Sequence, residues 1–203
     1  MTHKLKDIAE IQIGYQVRGQ KRNTPNGPFR LIQMRDIDDD GRLIPHGLLS
    51  LDVDGPDRYR VQSGDILFQA RGSRHLAFVL DSVPPDTLAS NHFYIVRVNA
   101  GTILAAYLGW WVNQPPAQAR FVAQAHRTTM TLVPRLAFES LEVEIPPLAI
   151  QRRIVELNEL ARRQYELTTR LHEKRGALVS ALCLRAVREN STGQENEGET
   201  SDA

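Results

Sequence analysis

The sequence has one cysteine and no long apolar run, which excludes an internal disulfide and a membrane span. Cys183 alone cannot form an internal disulfide, and its leucine neighbours indicate a reduced, packed thiol. No stretch approaches the ~18 apolar residues of a membrane span, and no apolar run follows the basic start, so neither a span nor a signal peptide is predicted. We therefore expect a cytoplasmic protein that makes no use of a membrane.

Charge is distributed unevenly along the 203 residues. Residues 189–203 contain five acids and no lysine or arginine, and their Gly, Ser, Thr, Asn and Glu content predicts a disordered acidic tail. The rest of the chain is basic, and 21 of the 25 bases are arginine. Arginine suits phosphate oxygens and guanine edges, but a GC-rich genome produces the same bias, so this signal alone leaves nucleic-acid binding open.

The motifs of several enzyme classes are missing. The sequence contains neither the phosphate loop of nucleotide hydrolases nor the G-x-G-x-x-G turn of dinucleotide-binding domains. Its two proline pairs lack the flanking residues of a DNA amino-methyltransferase motif, and its six histidines show no zinc-binding spacing. We expect a protein that is not an enzyme and that has no catalytic residue, cofactor or metal.

Short β-like runs separated by turn residues fill the first hundred residues. These runs lie at 11–17, 29–35, 66–69, 77–80 and 93–98. Beyond Ile103 the apolar period changes to that of helices, before a last strand at 141–145. The pattern predicts an α+β fold, with a curved, mostly antiparallel sheet or partial barrel and covering helices. We assign 1–147 to this domain, 148–188 to one long helix and 189–203 to the tail.

The long helix carries apolar residues at heptad spacing. Its first row contains Ile150, Leu157, Gln164, Leu171 and Leu178, and Ile154 and Leu182 lie in a second row. Such a seam is typical of a coiled coil, in which polar positions such as Gln164 fix register at a cost in stability. At 1.5 Å per residue the helix would extend about 55 Å, more than a small domain can cover. We therefore predict a dimerisation helix, with a helix folded back on its own domain as the alternative.

Arginine, lysine, amide, hydroxyl and histidine side chains collect in four predicted loops. The candidate DNA contacts in these loops are Arg18, Lys21, Arg22, Gln69, Arg71, Arg74, His92, Arg127 and Thr128. Side chains of these types read base edges and bind phosphates. Any one cluster taken alone is more typical of a solvated loop, but four clusters on one small sheet domain favour nucleic acid.

Several segments together resemble the specificity subunit of type I restriction-modification systems, and one half of it in particular. The resemblance lies in Leu5–Ile11 with Gly14-Tyr15, Leu31–Ile37, Ser63–Phe68 with Arg71-Gly72-Ser73, Leu88–His92, and Ile145–Val155. The proline pair followed by Gln-x-x-Ile-Val is its most specific element. On this resemblance, residues 1–147 are identified as a single target recognition domain and the long helix as a spacer.

The resemblance implies a subunit that binds double-stranded DNA without catalysing a reaction. In that family two recognition domains, held apart by two antiparallel helices, read a bipartite site and dock methyltransferase subunits and, for cleavage, translocating restriction subunits. A chain with one recognition domain restores this architecture as a twofold homodimer reading a palindrome. The alternative is a coiled-coil assembly or regulatory protein that keeps the fold without reading DNA.

Overall fold

A computed structural model describes residues 1–17, 24, 26–38, 41–53, 57–72, 74–99, 101–125 and 132–195, with the backbone alone for 124–125 and 189–195. The chain forms nine strands and five α-helices in these ranges. The strands are β1 (Thr2–Lys4), β2 (Ala9–Ile13), β3 (Phe29–Ile32), β4 (Leu49–Leu51), β5 (Ile66–Gln69), β6 (Ala77–Val79), β7 (Thr87–Ala89), β8 (Phe93–Val98) and β9 (Glu142–Glu144). The helices are α1 (Leu5–Ile8), α2 (Ala105–Val112), α3 (Pro115–Ala125), α4 (Arg135–Glu139) and α5 (Leu148–Glu195).

The described strands form three open sheets. Four strands in the order β2-β8-β5-β6 are antiparallel throughout, and β1 pairs antiparallel with β9. The third sheet has the order β4-β3-β7, in which β3 and β7 run parallel. The predicted α+β class with mostly antiparallel strands and a long C-terminal helix is therefore confirmed.

The four-stranded sheet is buried on both faces, which explains why β5 has no exposed residue. Alternate side chains of a strand point to opposite faces. Ile66 and Phe68 accordingly pack into the main core with α2 and α3, whereas Leu67 packs with Phe93 and Ile95 into a second core. This central sheet is the rigid support from which the loops of the candidate site leave.

An ion pair between buried Asp65 and exposed Arg97 supports the start of β5. Gly64 has φ +89° in the turn before the strand. The guanidinium of Arg97 donates to both carboxylate oxygens of Asp65, at 2.8 and 2.7 Å, and that hydrogen bonding raises the pKa of Arg97. Because Asp65 is 1% exposed, it holds the turn and two strands together instead of facing a ligand.

The chain divides into two compact units, Met1–Val155 and Glu156–Ala203. The first unit includes the first two turns of α5, which Gln151 anchors. The fully buried amide of Gln151 accepts a hydrogen bond from the Leu104 N–H at 2.9 Å, and it donates to the carbonyls of Thr102 and Pro146 at 2.9 and 2.8 Å. The division into 1–147, 148–188 and 189–203 stays a prediction.

The second unit contains the rest of α5. Its backbone is helical through Glu195, seven residues into the segment for which disorder is predicted, because no proline breaks it after Pro147. Residues 196–203 lie outside the described part of the chain. Cys183 is exposed, so the prediction of a packed thiol is wrong for the single chain. Within the described residues no helix is both long and apolar enough to span a bilayer.

Candidate nucleic-acid interface

Three of the four loop segments meet at the turn before β8, residues 90–92. Tyr15 forms a parallel bridge with Ser90, and its N–H donates to the carbonyl of Ala89 at 2.7 Å. On the other side, the Ala70 N–H donates to the carbonyl of His92 at 2.9 Å. The loop that follows Tyr15 and the loop that follows β5 therefore start beside the same turn.

The residues that follow the fourth segment are bonded to the loop after β5. The Val133 N–H donates to the carbonyl of Ala70 at 2.9 Å, and Leu132 forms an antiparallel bridge with Arg71. Residues 132–133 directly follow the loop that carries two of the predicted contacts. Long-range backbone hydrogen bonds thus gather the anchors of all four loops at one edge of unit 1, which we call the loop edge.

Five of the predicted contacts lie outside the described residues. They are Arg18, Lys21, Arg22, Arg127 and Thr128. Val17, before the first of these loops, and Leu132, after the last, are described and lie next to the anchors Tyr15 and Val133. The structure places the start of the first loop and the end of the last one at the loop edge, and these five side chains lie outside the described residues.

Close packing of two backbones at the loop edge requires glycine at position 14. The Gly14 N–H donates to the carbonyl of Phe93 at 3.0 Å. A Cβ atom at this position would lie 2.2 Å from the carbonyl oxygen of Ser90 and 2.6 Å from that of Ala89. Since both obstacles are backbone atoms, no side-chain rotation could relieve the overlap.

The loop after β5 is held from inside by Gln69 and His75. Gln69 is 7% exposed, and its amide donates to the carbonyl of Arg71 at 3.3 Å. Buried His75 has Nδ1 3.1 Å from the carbonyl oxygen of Gln69. Gly72 closes the loop with φ +116°. Gln69 was predicted as a DNA contact, but in this structure its side chain faces the loop that it supports.

The remaining described candidates are accessible at the surface. Arg74 is exposed, and Arg71 and His92 are partly exposed. Burial raises the pKa of Tyr94, and the positive charge of Arg71 partly opposes that rise. The Tyr94 hydroxyl donates to the carbonyl of Val133 at 2.8 Å. Through its backbone bridge to Leu132, Arg71 lies at the junction of two loops.

A basic aromatic patch beside the loop edge was missed by sequence reasoning. The Tyr59 ring meets Tyr15 edge-on with centroids 5.2 Å apart, and the Arg58 guanidinium lies 4.6 Å above the Tyr59 ring. The Gln12 amide donates to the carbonyl of Arg58 at 2.5 Å. Arg58 and Tyr59 lie in a short 3-10 turn far from Tyr15 in sequence, and the alternation of arginine with tyrosine there was the available signal.

The second unit exposes a continuous apolar face on α5. Four leucines of the predicted seam are between 50% and 67% exposed: Leu157, Leu171, Leu178 and Leu182. Gln164 is also exposed. Ile150 belongs to the first unit and is 40% exposed. Ile154 differs, because it is half-buried against the main core of unit 1. At about 100° per residue, the exposed Leu160 and Leu167 fall on the same face, although the predicted second row omitted them.

No metal centre is indicated by the residues that the structure describes. Among them, no three His, Cys, Asp or Glu side chains come together as possible ligands.

The fold is similar to those of three solved structures. The HsdS subunit from Thermoanaerobacter tengcongensis is 17% identical, with a TM-score of 0.60 over 81% of this chain and 37% of that one. A chain from a structure on complex assembly and conformational transition of the type I R-M system is 18% identical, with a TM-score of 0.66 over 90% and 43%. The type I restriction-modification S subunit from M. genitalium is 12% identical, with a TM-score of 0.56 over 82% and 40%.

These likenesses agree with the resemblance seen in the sequence. The chain has the fold of type I specificity subunits. It spans about two fifths of the length of the solved chains that it matches. No family model matches the sequence, and no curated protein matches it.

Proposed function

We propose that this protein is a non-catalytic, sequence-specific recognition subunit for double-stranded DNA. The convergence of four loop segments at the loop edge is the observation that supports this function most. Each loop carries arginine, amide, hydroxyl or imidazole groups, and together they offer the mixture of phosphate and base-edge contacts that sequence reading needs. The likeness in fold to type I specificity subunits supports the same function.

In this proposal the residues of the loop edge have different roles. Arg71 and Arg74 contact base edges or phosphates, and Gln69 positions the loop that carries them. The remaining contacts come from Arg18, Lys21, Arg22, His92, Arg127 and Thr128. A bidentate arginine contact to guanine discriminates by about 1–3 kcal/mol, so one or two such side chains suffice to read a half-site.

We further propose that two copies pair through α5. The exposed leucines would be costly to leave in water, and a second copy of the same helix covers them. Charge favours an antiparallel pair: residues 174–188 contain four bases and no acid, whereas 156–173 contain four acids and three bases. A parallel pair would bring two basic segments together. A twofold dimer would read a palindromic bipartite site.

The partners in this proposal are methyltransferase subunits and, for cleavage, translocating restriction subunits. The structure on assembly of the type I R-M system, whose fold this chain shares, supports a role within such a complex.

Salt titration of DNA binding, with the methyltransferase subunits present, tests the proposed function. The logarithm of the association constant should fall linearly with the logarithm of salt concentration, with a slope of about 0.9 per phosphate contacted. Arg71→Ala should weaken binding to the preferred duplex more than binding to other duplexes. Undetectable or salt-insensitive binding would contradict DNA recognition.

The alternative is a coiled-coil assembly or regulatory protein that does not read DNA. The exposed face of α5 favours it, since that face explains pairing without any nucleic acid. A chain that dimerises and binds methyltransferase subunits, but binds no duplex with sequence preference, would support this alternative.

A further inference from the structure

A groove of about 670 Å³ runs along β2, an edge strand of the four-stranded sheet. Residues of β2 line it together with Gly14, Arg58 and Tyr59. Lys6 and Arg135 also line the groove. Among the residues that the structure describes, none of the predicted DNA contacts lines the groove.

The groove has more cationic than anionic groups left for a ligand. Arg135 pairs with the neighbouring Glu139 at 2.6 Å, which neutralises both. Within the described residues, no carboxylate forms an ion pair with Lys6 or Arg58. The remaining acid, Glu10, lies opposite Arg97 in the β2–β8 register. Lys6 and Arg58 are therefore the cations available to an anionic ligand.

Arg58 is held ready for such a ligand. Its guanidinium stacks on Tyr59 and hydrogen-bonds to the hydroxyl of that residue. The Gln12 amide fixes its carbonyl against β2. A stacked guanidinium loses less conformational freedom on binding than a free one, which favours planar recognition of phosphate oxygens.

The groove is continuous with the loop edge. Gly14 and Gln16 line it at one end, and Tyr15 between them makes the bridge to Ser90 that anchors the first loop. We propose that the groove holds the sugar–phosphate backbone of the duplex bound at the loop edge, with Lys6 and Arg58 contacting phosphate oxygens. This inference rests on the proposed function. Such contacts fix the position of the duplex and carry no base information.

A peptide strand is the competing occupant, because β2 is a sheet edge. Strand addition draws its specificity from pockets for alternate side chains. Of the described lining residues, only Ile13 is a large apolar side chain that is more than a third exposed, at 44%. The polar character of the groove therefore favours a phosphate backbone.

The test compares Lys6→Ala and Arg58→Ala in the full chain, with the preferred duplex and a scrambled duplex of equal length. Each variant should weaken binding to both duplexes by a similar factor and reduce the salt slope by about 0.9. Glu10→Gln should tighten binding to both. Arg152→Ala, which removes an exposed arginine outside the groove and off the apolar face of α5, is the matched control and should change neither.

Each outcome decides the inference. An unchanged salt slope of DNA binding in both Lys6→Ala and Arg58→Ala would overturn it. A loss of affinity for the preferred duplex alone would also overturn it, because that result indicates base recognition. Lost association with methyltransferase subunits at an unchanged DNA slope would assign the groove to a protein instead. If the unmodified chain binds neither duplex, the proposed function itself fails. Circular dichroism on each variant separates these results from unfolding, and Lys6, an exposed residue, is the safer substitution.

Discussion

The loop edge and the face of α5 are built in opposite ways. At the loop edge, residues distant in sequence are joined by backbone hydrogen bonds such as Ala70 to His92 and Val133 to Ala70. The face of α5 beyond Val155 is formed by consecutive turns of a single helix and leaves its leucines exposed. The first region is complete in one chain, whereas the second has unsatisfied apolar surface. Damage to the first should therefore lower single-chain stability, and damage to the second should lower association.

The largest effect should come from charges placed on the face of α5. Leu171→Glu combined with Leu178→Glu would bury four carboxylates in a twofold pair, and we expect the dissociation constant of the dimer to rise on the order of 1,000-fold. Sedimentation velocity measures the change. Leu184→Glu is the matched control, because Leu184 is 60% exposed and lies on the opposite side of the helix, about 180° from Leu157. Equal dissociation of control and variant would remove this face as the interface.

The same substitution at two positions of α5, one buried in unit 1 and one on the exposed face, should have opposite effects. Gln151→Leu leaves the Leu104 N–H and two carbonyls without their partner, so the free energy of unfolding should fall by roughly 3 kcal/mol. Gln164→Leu replaces a polar seam residue by an apolar one, so the dimer should tighten. Denaturant unfolding and sedimentation measure the two changes. If Gln151→Leu leaves the free energy of unfolding unchanged, the Gln151 amide does not anchor α5.

Alanine in place of glycine should also have opposite effects on stability in the two regions. Gly14→Ala forces a Cβ against two carbonyl oxygens and should lower the free energy of unfolding by roughly 2 kcal/mol. Gly176→Ala meets no atom within 4 Å and removes a poor helix former from α5, so helix stability should rise by up to about 1 kcal/mol. Thermal melts followed by circular dichroism compare the two. A harmless Gly14→Ala would show that the two backbones can separate at little cost.

A smaller effect is expected from a single side chain at the loop edge. Arg71→Ala should weaken binding to the preferred duplex about 10-fold and relax the preference at one base position. Arg35→Ala is a suitable control, because Arg35 is 67% exposed and has its nearest carboxylate, Asp36, at 3.7 Å. Fluorescence anisotropy on duplexes substituted at each position measures both. Equal losses of affinity in the two variants would show that Arg71 contributes only its positive charge and recognises no base.

The local sequence pattern predicted the long helix and the central strands. It could not predict which distant strands pair with each other. The bounds of β5 and β8 match the runs 66–69 and 93–98, because buried strands flanked by turns leave a clear signal. The three-residue strand β7 was missed, since its parallel pairing with β3 has no local signature.

The same limit applies to the two candidate surfaces. Heptad spacing indicated four of the exposed leucines on α5, but Ile154 belongs to the core of unit 1 and Leu160 was omitted. Residue types indicated which loops could contact DNA. Their convergence could not be predicted, because it depends on backbone bridges such as Tyr15 to Ser90. The inward position of Gln69 could not be predicted either, because it depends on how its own loop folds.

Selection of duplexes from a random pool tests the central claim most directly. The full chain, with methyltransferase subunits present, should enrich two inverted copies of one half-site at a constant spacing. The chain with Leu171→Glu and Leu178→Glu should enrich the half-site alone, because its loop edge is intact and its pairing is lost. Enrichment of a single half-site by the unmodified chain would contradict pairing through α5. No enriched sequence at all would contradict DNA recognition by the loop edge.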